Sequence, residues 1–362
     1  MYSAGVGNQT EIPASMLKPP FRNMARAAFH RFGGIDWVRY RNRSAPRVLM
    51  SHRFSSGSET FESQLKKQCE HLRKHYNPIT DLQLREWILE GHPLPSNAVL
   101  FTVDDGYSDF SEVALPVLCH YEIPALVFVV SDFIDTRMWL WWDKIFYSFR
   151  YTCRTRIDLT IADNQLALST NSPEERRAAA ITTCDLLTLL TTSSQLTAVD
   201  QLIMALDVDA PKFPTADYSP MTWQQIEHAT SQGVSVGAHT CTHPILTRLP
   251  DQRMVREEIV GGKRKIEEKL RRTVSAFAYP NGQPEDVDDS VVETVRRAGF
   301  DTAFVAQAAM LAQSDDPLQL CRIPVGPEIS DLYFRQQLAG FRLPNAGTGP
   351  GPSRSQAGHN AA

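Results

Sequence analysis

The sequence has no apolar run of the ~18–20 residues that a membrane-spanning helix needs, which excludes a transmembrane segment. Its N-terminus has no short positive region followed by an apolar core, so we expect no secretory signal and a cytoplasmic protein. The six cysteines show no Cys-x-x-Cys spacing, which predicts reduced thiols rather than disulfides or a zinc knuckle. The formal net charge of -4 is near neutral and indicates no nucleic-acid partner.

The distribution of residue types along the chain predicts one large domain with different ends. Hydrophobic residues make up 42% and charged residues 22% of the 362 residues, as in ordinary globular proteins. We expect a basic helical segment over residues 1–45 and a main domain over 46–342, with an insertion at about 136–218. The tail over 343–362 consists largely of glycine, proline, serine and alanine, and is predicted to be disordered.

The N-terminal segment interleaves arginine with apolar residues, which suggests a short amphipathic helix interrupted at Gly33-Gly34. The arginines are Arg22, Arg26, Arg31, Arg39, Arg41 and Arg43. One interpretation is a weak contact with a membrane surface or an acidic polymer. The interpretation that we favour is a helix that covers one end of the domain with its arginines in solvent.

Apolar runs alternate with helical patterns through the first half of the main domain. Strands are predicted at residues 48–53, 100–103 and 125–130, and helical spacing separates each strand from the next. Strand, helix and strand at this spacing are typical of a parallel α/β fold.

Two short stretches carry residues with distinctive chemistry. Residues 102–107 read Thr-Val-Asp-Asp-Gly-Tyr and end a predicted strand in two adjacent carboxylates, and residues 239–243 read His-Thr-Cys-Thr-His after another apolar run. Adjacent buried carboxylates are costly unless a metal or a proton separates their roles. One carboxylate and two imidazoles make a facial metal site, and the other carboxylate is then free to act as a base.

These stretches resemble the motifs of a known family. Residues 102–107 resemble the Thr-Phe-Asp-Asp-Gly motif of the polysaccharide deacetylases (carbohydrate esterase family 4, NodB-homology domain), which remove N-acetyl groups from amino sugars. Residues 239–243 resemble their His-(Ser/Thr)-x-x-His motif, and Phe-Ala-Tyr-Pro-Asn-Gly follows at 277–282. The resemblance covers roughly residues 46–340. With the strand–helix rhythm, it implies a distorted (β/α) barrel of about seven parallel strands with a helical insertion.

The resemblance assigns roles to individual residues. Asp105, His239 and His243 would bind a divalent metal, and Asp104 would take the proton from the attacking water. Asn281 stands where many relatives carry tyrosine, and its main-chain N–H would help to hold the oxyanion. Zinc suits two histidines and one carboxylate, although cobalt, nickel or iron fits the same ligands.

The sequence departs from the family pattern at two positions. Ala278 stands where the family has an arginine that steadies the base aspartate, and we expect Arg322 to supply that charge from the last predicted strand. The family's general-acid histidine, in a Leu-x-x-His motif, has no counterpart near residues 320–323. His52 ends the first strand, and residues past the carboxyl ends of barrel strands face the active site, so we predict that His52 protonates the leaving amine.

Four aromatic residues are predicted to contact the substrate: Tyr107 and Tyr279 within the motifs, and Trp141 and Trp142 at the start of the insertion. Aromatic faces suit pyranose rings. The alternative for the two tryptophans, which we favour slightly, is that they anchor the insertion by burial.

We therefore predict a hydrolase that removes N-acetyl groups from an N-acetylated amino-sugar poly- or oligosaccharide, with a divalent metal as cofactor. The missing arginine and histidine leave open a catalytically impaired relative that only binds sugar. The same metal ligands also suit an O-acetyl esterase that acts on a glycan.

Overall fold

The structure, a computed structural model, describes residues 33–55, 60–136, 138–161, 164–326 and 329–341. Its strands, in chain order, are β1 (Arg47–Ser51), β2 (Asn77–Pro78), β3 (Ala98–Val103), β4 (Ala125–Val129), β5 (Arg156–Ile161), β6 (Asn164–Ser169), β7 (Ser235–Ala238), β8 (Ala276–Ala278), β9 (Thr302–Phe304) and β10 (Ile323–Pro324). Its α-helices are α1 (Gly34–Arg41), α2 (Thr60–His75), α3 (Asp81–Glu90), α4 (Leu115–His120), α5 (Trp141–Tyr151), α6 (Pro173–Leu187), α7 (Thr192–Leu206), α8 (Trp223–Ser231), α9 (Gln252–Leu270), α10 (Asp289–Arg297) and α11 (Asp331–Ala339). A π-helical turn (Phe110–Ala114) precedes α4, and short 3-10 turns lie at Ala216–Tyr218, Leu246–Arg248 and Pro284–Asp286.

The main sheet contains eight strands in parallel pairings, seven of them in the order β10-β1-β3-β4-β7-β8-β9, with β2 beside the first half of β3. Leu320 forms a parallel bridge with Phe304 of β9, and Ile323 of β10 pairs with Leu49 of β1. The segment from 320 to 324 therefore joins the two ends of the sheet. The predicted distorted (β/α) barrel is confirmed.

The strands read as continuous apolar runs because both of their faces are covered. Leu100 and Phe128 belong to an apolar cluster that also contains Phe304 and lies on one face of the sheet. Their neighbours Phe101 and Val127 belong to a larger cluster shared with the surrounding helices. Alternate residues of each strand thus fill the inside of the barrel and the layer beneath the helices.

The helix α1 is the described part of the predicted basic segment. Gly33 precedes it with a φ of +77°, and residues 1–32 lie outside the described residues. Asn42, directly after α1, donates its side-chain amide to the carbonyl of Ala339 at 2.9 Å, so α1 packs where α11 ends. The membrane-surface contact stays a prediction, as does the disordered tail over 343–362, which is also outside the described residues.

The region predicted as an insertion contains α5, the hairpin of β5 and β6, α6 and α7. It has an apolar cluster of its own, which includes Trp142, Phe149 and Leu202 and also takes in Phe133 beside the barrel. The hairpin is an addition to the predicted helices. The boundaries at 136 and 218 stay a prediction.

Among the described residues, we find no helix that combines the length and the apolar character needed to cross a bilayer.

Candidate active site

The two adjacent carboxylates, Asp104 and Asp105, directly follow β3, at the point where the backbone departs from regular strand geometry. The Asp104 N–H still donates to the Ser51 carbonyl at 2.9 Å, as a continuation of the pairing with β1. Asp105 then has a φ of +74° and Gly106 a φ of +93°, and both carboxylates line one cavity. A Cβ on Gly106 would lie 2.7 Å from Ile134 Cδ1, so both the space and the backbone conformation at this turn favour glycine.

The two histidines stand on the turn that follows β7. The His239 N–H donates to the Val129 carbonyl at 3.0 Å, and its Nδ1 lies 2.8 Å from the Ala278 carbonyl. Because that contact uses Nδ1, the Nε2 atom faces the cavity. The His243 N–H donates to Thr240 Oγ1 at 3.0 Å, and the two imidazole centroids are 4.7 Å apart.

Glu258, on α9, holds this turn from the outside. Its carboxylate accepts the N–H groups of Cys241 and Thr242, both at 2.9 Å, and the Thr242 hydroxyl at 2.7 Å. In the sequence, Glu258 is one charge among many on a highly charged helix, so no local pattern distinguishes it. The structure therefore adds a residue that orients the histidine turn and that the sequence did not indicate.

Asp105, His239 and His243 come together as a ligand set. Asp105 Oδ1 lies 3.6 Å from His239 Nε2 and 3.6 Å from His243 Nε2. Two ligand atoms at about 2.1 Å from a tetrahedral zinc ion are about 3.4 Å apart, so these separations fit a metal. The three ligand atoms all lie within 4.8 Å of one another.

The buried carboxylate of Asp105 supports the same interpretation. Its Oδ1 accepts no hydrogen bond from any of the described residues. Burial and then the nearby charge of Asp104 raise the pKa of Asp105 well above its usual value, so the ionised form lacks a positive partner. Burial also lowers the pKa of His239, which favours the neutral imidazole that a metal needs. A divalent cation fits these residues.

Asp104 has a charged partner of its own. Arg322 Nη1 and Nη2 donate to its two carboxylate oxygens at 2.6 and 2.8 Å, and Nη1 also lies 3.2 Å from Thr102 Oγ1. Burial raises the pKa of Asp104, but the charges of Arg322, His239 and His52 together outweigh burial, and the pKa falls to about 2. Arg322 thus lies beside Asp104, as predicted. The family has an arginine for this purpose at the position of Ala278.

His52 lies on the other side of Asp104. Its Nε2 atom is 3.8 Å from Asp104 Oδ2, and both side chains are largely buried. Burial lowers the pKa of His52 to about 4, despite the attraction of Asp104, so the imidazole is neutral at pH 7. His52 therefore lies in the predicted position. Because its imidazole is neutral, it must receive during the reaction the proton that it then donates.

Asn281 lines the same cavity and has a φ of +61°. Its side-chain amide donates to Asp286, which also accepts the Gln283 N–H at 3.1 Å. These bonds hold the turn after β8. The role of the Asn281 main-chain N–H stays a prediction.

Ten of the eleven predicted site residues line this cavity. They are His52, Asp104, Asp105, Trp141, Trp142, His239, His243, Tyr279, Asn281 and Arg322. Thr188 and Ile245 also line it and were not predicted. Thr188 directly follows α6, so the inserted region contributes part of the cavity wall.

Tyr107 is the exception, and the prediction that it contacts the sugar is wrong. Its side chain is 1% exposed, its hydroxyl donates to Asp143 Oδ2 at 2.7 Å, and it accepts the indole N–H of Trp142 at 3.0 Å. Arg53 lies over its ring, 4.1 Å from the centroid. A ring enclosed in this way offers no face to a substrate.

The buried polar side chains around Tyr107 were not predicted either. Arg53 Nε donates to Asp109 Oδ2 at 2.9 Å, and burial raises the pKa of Asp143 to about 7 against the opposing charge of Arg53. The four side chains of Arg53, Tyr107, Asp109 and Asp143 form a buried polar network. It joins the residues after β1 and β3 to α5 of the insertion.

The other three aromatic residues differ in what they offer. Tyr279 is 1% exposed, and its hydroxyl donates to the Leu318 carbonyl at 2.9 Å. Trp142 is 3% exposed, and its ring meets the ring of His243 edge-on, with centroids 4.4 Å apart. This burial supports the anchoring interpretation for Trp142. Trp141 is half-buried on the cavity wall, so it has the best access to a sugar.

Known proteins share sequence and fold with this chain. The family model described as "Polysaccharide deacetylase" matches residues 91–147 and 173–303, which together make up more than half of the chain. A curated relative from Escherichia coli (strain K12), poly-beta-1,6-N-acetyl-D-glucosamine N-deacetylase, is 34% identical over 106 residues, which cover 29% of this chain and 15% of the relative. The matched segment is therefore a small part of that relative's length.

Solved structures share the fold at lower identity. IcaB from Ammonifex degensii has a TM-score of 0.54 at 19% identity, over 82% of this chain and 97% of that one. The Streptococcus pyogenes deacetylase PplD, in complex with acetate, has a TM-score of 0.54 at 15% identity, over 81% and 98% of the two chains.

Proposed function

Because this chain belongs to the polysaccharide deacetylase family, we propose that it hydrolyses N-acetyl groups of an amino-sugar poly- or oligosaccharide to acetate and a free amine. The observation that carries the proposal is one cavity in which Asp105 Oδ1 lies 3.6 Å from both His239 Nε2 and His243 Nε2, with the carboxylate of Asp104 beside it. Asp104 is thus not one of the cation ligands, and its carboxylate is available for proton transfer.

Asp105, His239 and His243 would hold the divalent cation, and zinc is the metal that suits their donor atoms. A cation bound there lowers the pKa of a coordinated water and polarises the acetyl carbonyl.

Asp104 acts as the proton acceptor. Its ion pair with Arg322 keeps it ionised, with a pKa of about 2, and holds its carboxylate in one orientation. A proton that Asp104 takes from the attacking water passes to His52, whose Nε2 lies 3.8 Å away. His52 in turn delivers this proton to the amide nitrogen as the carbon–nitrogen bond breaks. Water thereby gives its oxygen to acetate and one proton to the leaving nitrogen, and its second proton is released when the acetic acid ionises.

Asn281 has a positioning task in the same cavity. Its main-chain N–H donates to the acetyl oxygen as negative charge develops there. The hydrogen bond from its side chain to Asp286 keeps the turn rigid, so this donor does not need to be ordered during the reaction.

The first substrate to test is an oligomer of β-1,6-linked N-acetylglucosamine, since the curated relative acts on such a polymer by its name. Purified, zinc-loaded protein is incubated with this oligomer and with its β-1,4-linked counterpart, and the products are analysed by mass spectrometry. We expect loss of one acetyl unit and equimolar acetate from at least one oligomer.

One control variant and two contrary outcomes complete this experiment. Asp104→Asn, which keeps the shape of the side chain and removes the acceptor, is expected to release no acetate. Oligosaccharide binding without acetate from any glycan, with zinc bound, would overturn the proposal and favour the sugar-binding alternative. Acetate only from O-acetylated glycans would favour the esterase.

A further inference from the structure

The histidine turn, residues 239–243, has an unusual backbone. Thr240 has a φ of +66° and His243 a φ of +62°, in the left-handed region that residues other than glycine rarely adopt. Thr240 is β-branched, so this conformation is particularly unfavourable for it. A backbone of this kind persists only where the surrounding structure holds it. We therefore ask which groups hold the histidine turn.

The segment that follows β4 binds the carbonyl groups of the histidine turn. The Ser131 N–H donates to the Thr240 carbonyl at 3.1 Å, and the Asp132 N–H donates to the Cys241 carbonyl at 2.9 Å. A carboxylate of α9 accepts main-chain N–H groups of the same turn, so its peptide groups are bound from two sides. Lys265 of α9 also pairs with Asp132 at 3.0 Å. The two elements that hold the turn are thus joined to each other.

Two adjacent glycines bring α9 close to the histidine turn. Gly261 and Gly262 lie in the interior of α9, where glycine is less favourable than alanine. They follow Glu258 by three and four residues, so all three lie on one face of the helix. A Cβ on Gly262 would lie 2.8 Å from the Thr240 carbonyl carbon and 2.9 Å from its oxygen. Only a residue without a side chain lets the helix pack directly on the backbone of the turn.

We propose that Glu258 and Gly262 are positioning residues of the metal site. By holding the histidine turn, they keep the Nε2 atoms of His239 and His243 at the separations that a cation requires. Asp105 follows a different strand, so a movement of the turn changes its distance to both imidazoles. Groups behind metal ligands typically contribute 10–100-fold to metal affinity. The proposal rests on the metal site of the proposed function, and adds that α9 preorganises this site.

The first test changes the contact between α9 and the turn in the purified full chain. Gly262→Ala places a methyl group against the main chain of Thr240, so the turn must shift. Gly261→Ala is the matched control, because its Cβ would meet the Sγ atom of Cys241 at 3.0 Å, at the end of a side chain. We expect Gly262→Ala to lower zinc affinity about tenfold or more in competition with a chromogenic chelator. Gly261→Ala is expected to stay within about threefold of the wild type.

The second test removes the acceptor on α9 and then restores it. Glu258→Met leaves the N–H groups of Cys241 and Thr242 without their partner, and zinc affinity is expected to fall about tenfold. Glu258→Gln keeps an acceptor oxygen at the same reach and is expected to recover most of this loss. Glu268→Met, at an exposed glutamate of the same helix that pairs with Arg264, is the control and should bind zinc as the wild type does.

A third measurement separates positioning from a general loss of stability. Cobalt fits the same ligands as zinc, and its visible absorption spectrum reports the geometry of the ligands around it. We expect a changed cobalt spectrum in Gly262→Ala and Glu258→Met. The spectra of Gly261→Ala and Glu258→Gln should match that of the wild type. Cooperative melting shows that each variant is folded, and if Gly262→Ala does not fold, the comparison at position 258 decides.

Two results would overturn the proposal and leave the deacetylase function intact. One is a wild-type zinc affinity and cobalt spectrum in folded Gly262→Ala or in Glu258→Met. The other is an equal loss of affinity in Gly261→Ala and Gly262→Ala, because the effect would then belong to the helix and not to its contact with the turn. If the wild type binds neither zinc nor cobalt, the proposed function fails, and the positioning role fails with it.

Discussion

Arg322 and Asp104 form a buried two-point ion pair across 218 positions of sequence, with nitrogen–oxygen distances of 2.6 and 2.8 Å. The guanidinium comes from the segment that closes the barrel, and the carboxylate from the end of β3. Barrel closure and the ionisation of the proposed base are therefore coupled, because the same segment provides both.

Replacement of Arg322 by lysine is expected to lower kcat by about 10²-fold or more, since one ammonium cannot reproduce the two-point geometry. Arg322 is the largest of the charges that hold the pKa of Asp104 at about 2, so this pKa will rise and the acidic limb of the kcat–pH profile will move to higher pH. Arg47→Lys is the matched control, because Arg47 is as buried but bonds to Leu338 and Ala45 instead. An unshifted acidic limb in Arg322→Lys would contradict the assigned role.

His52→Ala is expected to lower kcat by about 10²–10⁴-fold, the usual contribution of a positioned acid. Because burial lowers the pKa of His52 to about 4, its imidazole NMR signals should not titrate between pH 5.5 and 8. His120→Ala, at an exposed histidine, provides the control. Activity of His52→Ala within about threefold of the wild type would rule out the acid role.

Trp142→Phe keeps an aromatic ring near His243 and removes the N–H that donates to Tyr107 at 3.0 Å. We expect zinc affinity to fall about 10-fold or more, as is usual when groups behind metal ligands are changed. Competition with a chromogenic chelator measures this affinity. Trp87→Phe is the control, a buried tryptophan in the barrel's inner cluster. Equal zinc affinity in Trp142→Phe and the wild type would show that Trp142 only anchors the insertion.

His71, on α2 and outside the catalytic cavity, is expected to make the stability of the fold depend on pH. Burial lowers its pKa to about 4 in the folded protein, below the value of about 6.5 in the unfolded chain. The unfolded state therefore binds more protons in this window, and the free energy of unfolding falls as pH drops from 6.5 towards 4. His71→Phe, between Tyr76 and Phe334, should remove about 1–2 kcal/mol of that fall, with solvent screening of the partly accessible ring taken into account.

Urea denaturation of the wild type and His71→Phe at pH 7.5 and 4.5 measures the effect. An equal fall in both proteins would show that other groups determine the acid sensitivity.

Much of the fold was predictable because local sequence patterns determine its strands and helices. The apolar runs that become β1, β3 and β4 are buried on both faces, and the motif residues follow strands whose carboxyl ends meet at one end of the barrel. Ten of eleven predicted site residues therefore line one cavity.

The residues that the sequence did not reveal act through partners distant in the chain. Glu258 is recognisable only once α9 lies against the histidine turn, and Asp143 only once α5 covers Tyr107. Tyr107 was misassigned for the same reason, since the motif places it beside the site but does not show that the insertion encloses it. Strand and helix periodicity carries no information about such contacts.

The central claim is that Asp105, His239 and His243 hold one cation that hydrolysis requires. The direct measurement is acetate release from the best oligosaccharide by protein freed of metal with a chelator, and again after addition of one equivalent of zinc. We predict that release falls to the level of Asp104→Asn and that one zinc per chain restores it, but not in His243→Ala. Full activity of protein shown by elemental analysis to contain no metal would contradict the account.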